Sequence, residues 1–402
     1  LNLFPRERHS PVIEAGPWIH RLRFVNFEEH AMILSCIGRR WLAVGLGVTL
    51  LAACGGGGGS GPASGGMGTS YVATSLVSDF SAGSNPYNSA NVDPRLVNAW
   101  GIAFNPNGFV WVANEGTSTS TLYDGNGIAQ SLVVSIPAGT AGAAGPTGIV
   151  YNGTADFVVS QAGMSGASIF IFVGQAGTVS GWSPGVNATS AVTVLDGAAA
   201  GAVYKGLALA SSGGANFLYA TDFHNARVDV FDASFSKVVA AGGFVDPTLP
   251  AGYAPFGIQA LGGSIYVAFA KQDAAAHDNV NGAGLGIVDV FDTTGHFLKR
   301  LVDVGGPLNA PWGLAVAPSG FGPLSNALLV GNVGDGRINA FNLTTGASMG
   351  TLNNAAGAPI AIDGLWGLAF GNGINGQPTN TLFFSGGPSA QTHGVYGRID
   401  LH

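Results

Sequence analysis

The phrase Xaa-Gly-Ile/Leu recurs six times along this chain of 402 residues, and no other feature narrows its fold so far. The copies are Trp100-Gly101-Ile102, Thr147-Gly148-Ile149, Lys205-Gly206-Leu207, Phe256-Gly257-Ile258, Trp312-Gly313-Leu314 and Trp366-Gly367-Leu368. Successive glycines lie 47, 58, 51, 56 and 54 residues apart. A period of that size in Gly-rich, strand-rich sequence marks a propeller, with one small sheet per repeat. The expectation is an all-β chain forming a six-bladed β-propeller with four-stranded blades. Length alone would allow two or three domains; the repeat argues for one large one. Charged residues make up only 9% of the chain, hydrophobic residues 47%, and there are 65 glycines. That balance fits packed sheets with tight turns, whereas disorder needs the opposite.

The first repeat shows how a blade is written. Trp100 to Phe104 reads as an apolar inner strand, and Asn105-Pro106-Asn107-Gly108 as the turn that ends it. Phe109 to Ala113 is the second strand, Ser120 to Tyr123 begins the third, and Ser131 to Ile136 is the fourth. A second phrase keeps step with the first: an alternating third strand that runs into a turn former. Its clear copies are Val228-Asp229-Val230-Phe231-Asp232, Val288-Asp289-Val290-Phe291-Asp292 and Ile338-Asn339-Ala340-Phe341-Asn342. Leu122-Tyr123-Asp124, Phe170-Ile171-Phe172-Val173-Gly174 and Gly397-Arg398-Ile399-Asp400 are weaker ones. The last repeat runs out after its third strand, while an unpaired strand-like run, Tyr71 to Asp79, precedes the first. The N-terminal run is therefore expected to close the sixth blade and leave no gap in the ring.

Residues 71–402 are read as the propeller, and what precedes them as three different segments. Arg39 and Arg40, an apolar run from Trp41 to Leu51 and the small residues Ala52-Ala53 form the pattern of a secretory signal over residues 32–53. The apolar run is too short to span a bilayer. Residues 54–70, rich in Gly and Ser, read as a flexible tether. Residues 1–31 have no period and sit badly ahead of a signal; Met32 is the more natural start, and 1–31 are read as an over-extended gene product or a disordered leader. Leu51-Ala52-Ala53-Cys54 resembles the lipobox of bacterial lipoproteins, which implies a diacylated Cys54 as the mature N-terminus. Gly55, in place of a retention aspartate, implies by the same resemblance the outer membrane of the cell envelope.

Composition excludes several functions. Both cysteines, Cys36 and Cys54, lie ahead of the repeats, so the propeller offers no disulfide, thiolate nucleophile or Cys-based metal site. From Cys54 onward there are nine Lys and Arg against eighteen Asp and Glu, a formal net charge of −9. Nucleic acid needs a basic footprint, and none is present. The domain is expected to meet the membrane through its N-terminal lipid alone, as a monomer.

The inner strands, the second strands Trp111-Val112-Ala113, Tyr219-Ala220-Thr221 and Tyr266-Val267-Ala268, and the Val-Asp-Val-Phe-Asp third strands together resemble NHL-type propellers. More narrowly, Asn98-Ala99-Trp100-Gly101-Ile102-Ala103 and Ala220-Thr221-Asp222-Phe223-His224-Asn225 are similar to an uncharacterised family of exported bacterial six-bladed propellers. The resemblance covers residues 71–402 and implies architecture; it transfers no activity.

In propellers, the loops from second to third strand and from blade to blade open on one face, where residues of several blades converge. The candidates there are Asn114 and Glu115, Gln161, Asp222 with His224 and Asn225, Lys271 through Asp278, Asn332 with Asp335, and Ser385. Glu115 is the only glutamate after the leader. It reads either as a metal ligand or base converging with Asp222 and Asn332, or as a solvated loop charge. A Ca²⁺ ion would accept Glu115, Asp222 and Asn332 as oxygen ligands, as gluconolactonase-like propellers hold their metal, a likeness of fold alone. His224, His277 and His393 fall in loops that could face one way and bind Zn²⁺ or exchange protons, though no two have a ligand spacing; His296 is a fourth histidine of the domain. Lys271 to Asn279 is an insertion, either a flap across the face or a plain loop. The aromatics Trp100, Phe256, Trp312 and Trp366 read as packing between blades at one rim or as a ring at the channel mouth. No phosphate cradle or serine elbow occurs. Two functions are left open. The first is a lipid-anchored binding module for a partner protein, peptide or polymer. The alternative is a Ca²⁺- or Zn²⁺-assisted hydrolase or lyase. The first is the expectation, because no catalytic group stands out.

Overall fold

Residues 69–81 and 85–402 are described by the computed structural model. The readings of residues 1–31, of the signal and of Cys54, and that of the tether up to residue 68, concern residues outside that range. Each repeat folds as a small antiparallel sheet with the Gly-Ile/Leu phrase on its inner strand. The first blade consists of Ala99–Phe104, Val110–Asn114, Thr119–Tyr123 and Ala129–Ser135. The third, fourth and fifth blades have inner strands Tyr204–Ser212, Tyr253–Leu261 and Pro311–Val316, each followed by three more strands in order. The six inner strands neighbour one another in sequence order, and Leu365–Phe370 of the sixth blade returns to Ala99–Phe104 of the first. This is the six-bladed propeller that the repeats predict.

The sixth blade is closed by the N-terminal strand. Leu365–Phe370, Leu382–Gly386 and Val395–Leu401 are its first three strands, and Tyr71–Ser78 lies antiparallel to the last of them, in register from Tyr71↔Leu401 to Ser78↔Val395. The strand packs on both sides of its blade. Tyr71 is buried in the cluster between the fifth and sixth blades and donates its hydroxyl to the Phe321 carbonyl at 2.8 Å. Leu76 and Val77 are buried between the sixth and first. A short parallel strand, Asn91–Val92, covers the edge so created, which limits exposed pairing groups.

The second blade departs from the expected parsing. Its inner strand Pro146–Tyr151 pairs directly with Phe170–Gly174, so that segment is the second strand of the blade and not the third. Thr178–Trp182 and Val192–Asp196 complete the sheet. Val158–Gln161 and Met164–Ala167 form a separate hairpin inserted between the first two strands. Its Val-Val-Ser-Gln run has the alternation of a blade strand, but Phe157, at φ 58, turns the chain out of the sheet just before it. Gln161 lies at the hairpin's turn, accepting a hydrogen bond from Asn187.

Apolar residues of adjoining blades form one buried cluster at each of the six blade interfaces. Near the axis the inner strands come too close for side chains between them. A Cβ on Gly101 would lie 2.6 Å from the Thr147 carbonyl oxygen, on Gly206 2.9 Å from that of Phe256, and on Gly367 2.7 Å from that of Trp100. Gly257 and Gly313 face the Trp312 and Trp366 carbonyls more closely still. Each repeated glycine thus meets the next blade's inner strand, and Gly367 carries the pattern across the closure. Ser385 tightens that seam, accepting the Gly367 N–H at 2.9 Å and donating to the Trp100 carbonyl.

Two stability predictions follow from this construction. Deleting residues 71–79 removes three buried apolar side chains, Tyr71, Leu76 and Val77, at roughly 1.5–3 kcal/mol each, and opens two blade interfaces. The truncated domain should melt far below the full chain in one transition, and an unchanged melting temperature would contradict closure. Gly257→Ala should cost about 1–3 kcal/mol or more by forcing two backbones apart, whereas Gly185→Ala, whose Cβ would meet nothing within 4 Å, should be nearly neutral in the same denaturant titration.

Candidate functional site

The residue ahead of each repeated glycine is carried to one end of the axis. Trp100, Phe256, Trp312 and Trp366 do not stay in separate interfaces but gather with Phe223 into a single buried plug. Trp100 and Trp366 stack with ring centroids 3.5 Å apart, and Trp312 stands edge-on to both. Thr147 occupies the same position in the second blade and donates to the Tyr204 carbonyl. In the third blade the position is Lys205, whose side chain is 1% exposed.

The buried ammonium is held from three sides. Lys205 Nζ donates to Gln175 Oε1 at 2.8 Å and to Asp278 Oδ1 at 3.0 Å, and it lies 5.4 Å from the centroid of Trp100, within cation–π range. Trp312 Nε1 donates to the Lys205 carbonyl at 3.0 Å. Burial draws the Lys205 pKa below the usual lysine range, with Asp278, Glu115 and Asp273 pulling the other way. Burial also opposes the charge on Asp278, yet Lys205 and His277 outweigh it and hold the carboxyl below its usual range. His277 Nδ1 is 3.1 Å from Asp278 Oδ2.

From Lys205 the polar contacts run across the face. Gln175 Nε2 donates to Glu115 Oε1 at 3.1 Å, and Asn98 Nδ2 donates to Glu115 Oε2 at 2.8 Å and to Gln391 Oε1 at 3.2 Å. Asn98 also accepts the Trp366 indole N–H at 3.1 Å, tying the network to the plug. Asn98 sits at φ 48, a region asparagine tolerates better than most residues. At the far end, Ser389, Ala390 and Gln391 form a left-handed turn with φ 56, 55 and 69. Three consecutive non-glycine residues in that conformation cost roughly 1–2 kcal/mol each, and such strain collects at functional rims. Above the network opens a cavity of about 810 Å³, whose lining includes Glu115, Gln175, His224, His277, Asp278 and Gln391. Residues from the sixth, first, second, third and fourth blades meet there.

The expected site residues divide into two groups. Glu115, His224 and His277 line the cavity. Asn114, Asp222 and Asn332, at the ends of second strands, are fully buried and bonded within their own blades, although Asn114 Oδ1 and Asn332 Oδ1 meet no partner among the described residues. Asn114 Nδ2 donates to Thr119 and Thr121. Asp222 accepts from Asn225 Nδ2 at 2.8 Å, from Arg227 at 3.2 Å and from the Val203 N–H, and burial raises its pKa. Asn225 also donates to the Ala200 carbonyl. Asn332 Nδ2 donates to the Pro307 carbonyl and to Asp335, which also accepts the Arg337 N–H. Glu115 therefore meets Gln175 and Asn98 rather than Asp222 and Asn332. Of the three histidines expected to share a face, His393 is drawn aside, stacking on Phe80 and pairing with Asp79 at 2.9 Å. His296 sits in a turn with Asp292. Among the described residues no three of His, Cys, Asp and Glu are grouped to hold a metal ion.

The segment Lys271 to Asn279 reaches from the fourth blade onto the third. Gln272 Nε2 donates to the Phe223 carbonyl at 2.6 Å, and Asp278 reaches Lys205. Its tip is shaped by Asp273 Oδ1, which accepts the N–H groups of His277 and Asp278. Lys205, Gln175, Asn98 and Gln391 were not singled out from the sequence. A signal for Lys205 existed: a lysine in a position that four of six repeats fill with an aromatic. A signal for Gln175 appears only once the second blade is correctly parsed, because Gln175 then follows the second strand as Glu115 does.

No protein-family model matches the chain. Among solved structures it is similar to virginiamycin B lyase from Staphylococcus aureus, at 14% identity and a TM-score of 0.42 over 79% of this chain and 82% of that one. It is also similar to a Bacteroides thetaiotaomicron protein of unknown function, at 10% identity and a TM-score of 0.48 over 82% and 76%. Neither likeness transfers a ligand or an activity. Closer in sequence are two uncharacterized proteins of Acanthamoeba polyphaga mimivirus. One is 34% identical over 319 residues, 77% of this chain and 76% of the relative. The other is 32% identical over 318 residues, 77% of this chain and 82% of the relative. By these two likenesses the chain belongs to the same protein family as the mimivirus proteins.

Proposed function

We propose that this chain is a ligand-binding β-propeller whose central cavity seats a polar group presented by a partner protein, peptide or polymer. The observation that carries the reading is the polar network from Gln391 through Asn98, Glu115 and Gln175 to Lys205 and Asp278. Five blades contribute to it, most of its members line one cavity with alanines between them, and Asn98 and Lys205 tie it to the buried aromatic plug. Binding sites combine an apolar floor with a few placed polar groups in this way. A scaffold has no need of a buried lysine at the axis, since a fifth aromatic would pack there at less cost in desolvation.

A thermal-shift screen of the full chain should therefore find ligands that raise the melting temperature with saturation. Glu115→Ala should abolish that response while moving the ligand-free melting temperature little, because its side chain faces the cavity. Gln175→Ala should abolish it too but also lower the ligand-free melting temperature, because the buried Lys205 ammonium loses an acceptor. Ca²⁺, Zn²⁺ and chelator run in the same screen address the metal-assisted hydrolase or lyase alternative. A ligand whose effect survives both substitutions would place binding elsewhere.

We also propose that the propeller is exported and lipid-anchored at the cell envelope, on the outer membrane, through Cys54. This reading rests on residues 39–55. Expressed in a Gram-negative host, the chain should yield a mature protein beginning at a diacylated Cys54, and Cys54→Ser should accumulate as precursor. Recovery of an intact peptide from residues 1–31 in the mature protein would sink it.

A further inference from the structure

Lys205 projects from an inner strand that cannot move without opening the ring, yet its counter-charge comes from outside the strands. An ammonium buried without an anion costs several kcal/mol, so the site requires one. The carboxylate in contact is Asp278, on the segment between Ser264–Lys271 and Gly286–Phe291, and its side chain is 59% exposed against 1% for Lys205. That segment holds its own shape through Asp273 and the Gln272↔Asn279 bridge. On the third blade its side chains make few bonds, chiefly Gln272 to the Phe223 carbonyl and Asp278 to Lys205. The second carboxylate of the cavity, Glu115, reaches Lys205 only through the Gln175 amide.

The need at Lys205 is for one anionic oxygen at the place that Asp278 Oδ1 now occupies. The indole beneath the ammonium supplies no counter-charge of its own: Lys205 Nζ lies over the Trp100 ring, and Trp100 Nε1 is buried with no hydrogen-bond partner among the described residues. A single ammonium suits a single negative charge. Glu115, Asp273 and Asp278 around it oppose a dianion such as phosphate. Beside the ammonium, Gln175 and Glu115 present acceptors, which suit a hydroxyl or amino group next to the incoming carboxylate.

We propose that Asp278 holds the place of a ligand carboxylate, and that the cavity takes a carboxylate-bearing ligand, hydroxylated or aminated beside the acid, whose anion replaces Asp278 on Lys205 Nζ. The proposal rests on the reading of the cavity as a ligand site. Asp278 is then an internal competitor, and removing it should strengthen binding instead of weakening it.

The test uses the full chain. Asp278→Ala should melt below wild type in sodium chloride and recover most of the loss in sodium lactate at equal ionic strength and pH 7. By calorimetry it should bind lactate roughly tenfold tighter than wild type, the competitor having been removed. A Gly-Gly-Ala peptide with a free C-terminus, set against the same peptide amidated, distinguishes a chain end from a free acid as the source of the carboxylate. Lys205→Met, or Lys205→Gln should the first fail to fold, should abolish the response in either background. A lactate response of Asp278→Ala no greater than that of wild type, or one that survives loss of Lys205, overturns the proposal. Uncharged ligands that still stabilise wild type through Glu115 would in that event leave the cavity's binding role standing, whereas no Glu115-dependent ligand of any kind would remove both.

Discussion

Everything at the axis depends on one close approach, repeated around the ring: an inner-strand glycine set against the backbone of the next inner strand. The missing Cβ lets neighbouring strands approach to a distance that any side chain would forbid. Six such approaches fix the width of the ring. At that width the residue ahead of each glycine, which reaches toward one end of the axis, has little room but its five counterparts to pack against. The stacked Trp100 and Trp366, with Trp312 edge-on, are the outcome. The plug is thus a consequence of the ring's closeness, and it seals the axis beneath the cavity.

A sealed floor alters the chemistry above it. Water reaches Lys205 poorly, so its charge is screened less and each of its contacts is stronger than it would be on a wet surface. That is why one lysine can organise so wide a network, with Gln175 passing its influence to Glu115 and Asn98 returning it to Trp366. The network and the plug form one construction, joined at Asn98 and Lys205. Pulling on either end disturbs both, which explains why polar residues from five blades are held in register although they belong to separate sheets.

The ring, the blade count and the closing strand were legible in the sequence because each is enforced at every repeat. A glycine needed six times is seen six times, and Tyr71 to Asp79 stands out as a strand-like run with no partner. The second blade is harder to parse, because Val158–Gln161 has the composition of a blade strand and sits where one is due. Only pairing, which is a long-range property, shows Phe170–Gly174 beside Pro146–Tyr151. Gln175 is hidden with it. Lys205 is hidden differently: its glycine and leucine obey the repeat so well that the phrase reads as scaffold, although its first residue breaks the pattern. Glu115 is legible by rarity alone, and its partners are not, since Gln175 lies 60 positions away on the next blade and Asn98 comes ahead of the first inner strand.

The remaining candidates show what loop position cannot tell. Asn114, Asp222 and Asn332 sit at the right end of the right strands, as Glu115 nearly does, yet one residue of offset separates two fates. The last residue of a second strand still faces the sheet, where a polar side chain must satisfy the backbone and hydroxyls around it. The next residue has left the ladder and can face the cavity, as Glu115 and Gln175 do. Burial alone does not separate the two groups either, for Lys205 is as buried as Asp222. Exchangeability of the partner does. The bonds that bury Asp222 come largely from its own blade and the turn it caps, whereas the anion that neutralises Lys205 is lent by an exposed side chain on a neighbouring loop. A ligand can replace the second kind of partner without unfolding anything, and this makes the buried lysine, more than the buried aspartate, the chemically available group on this face.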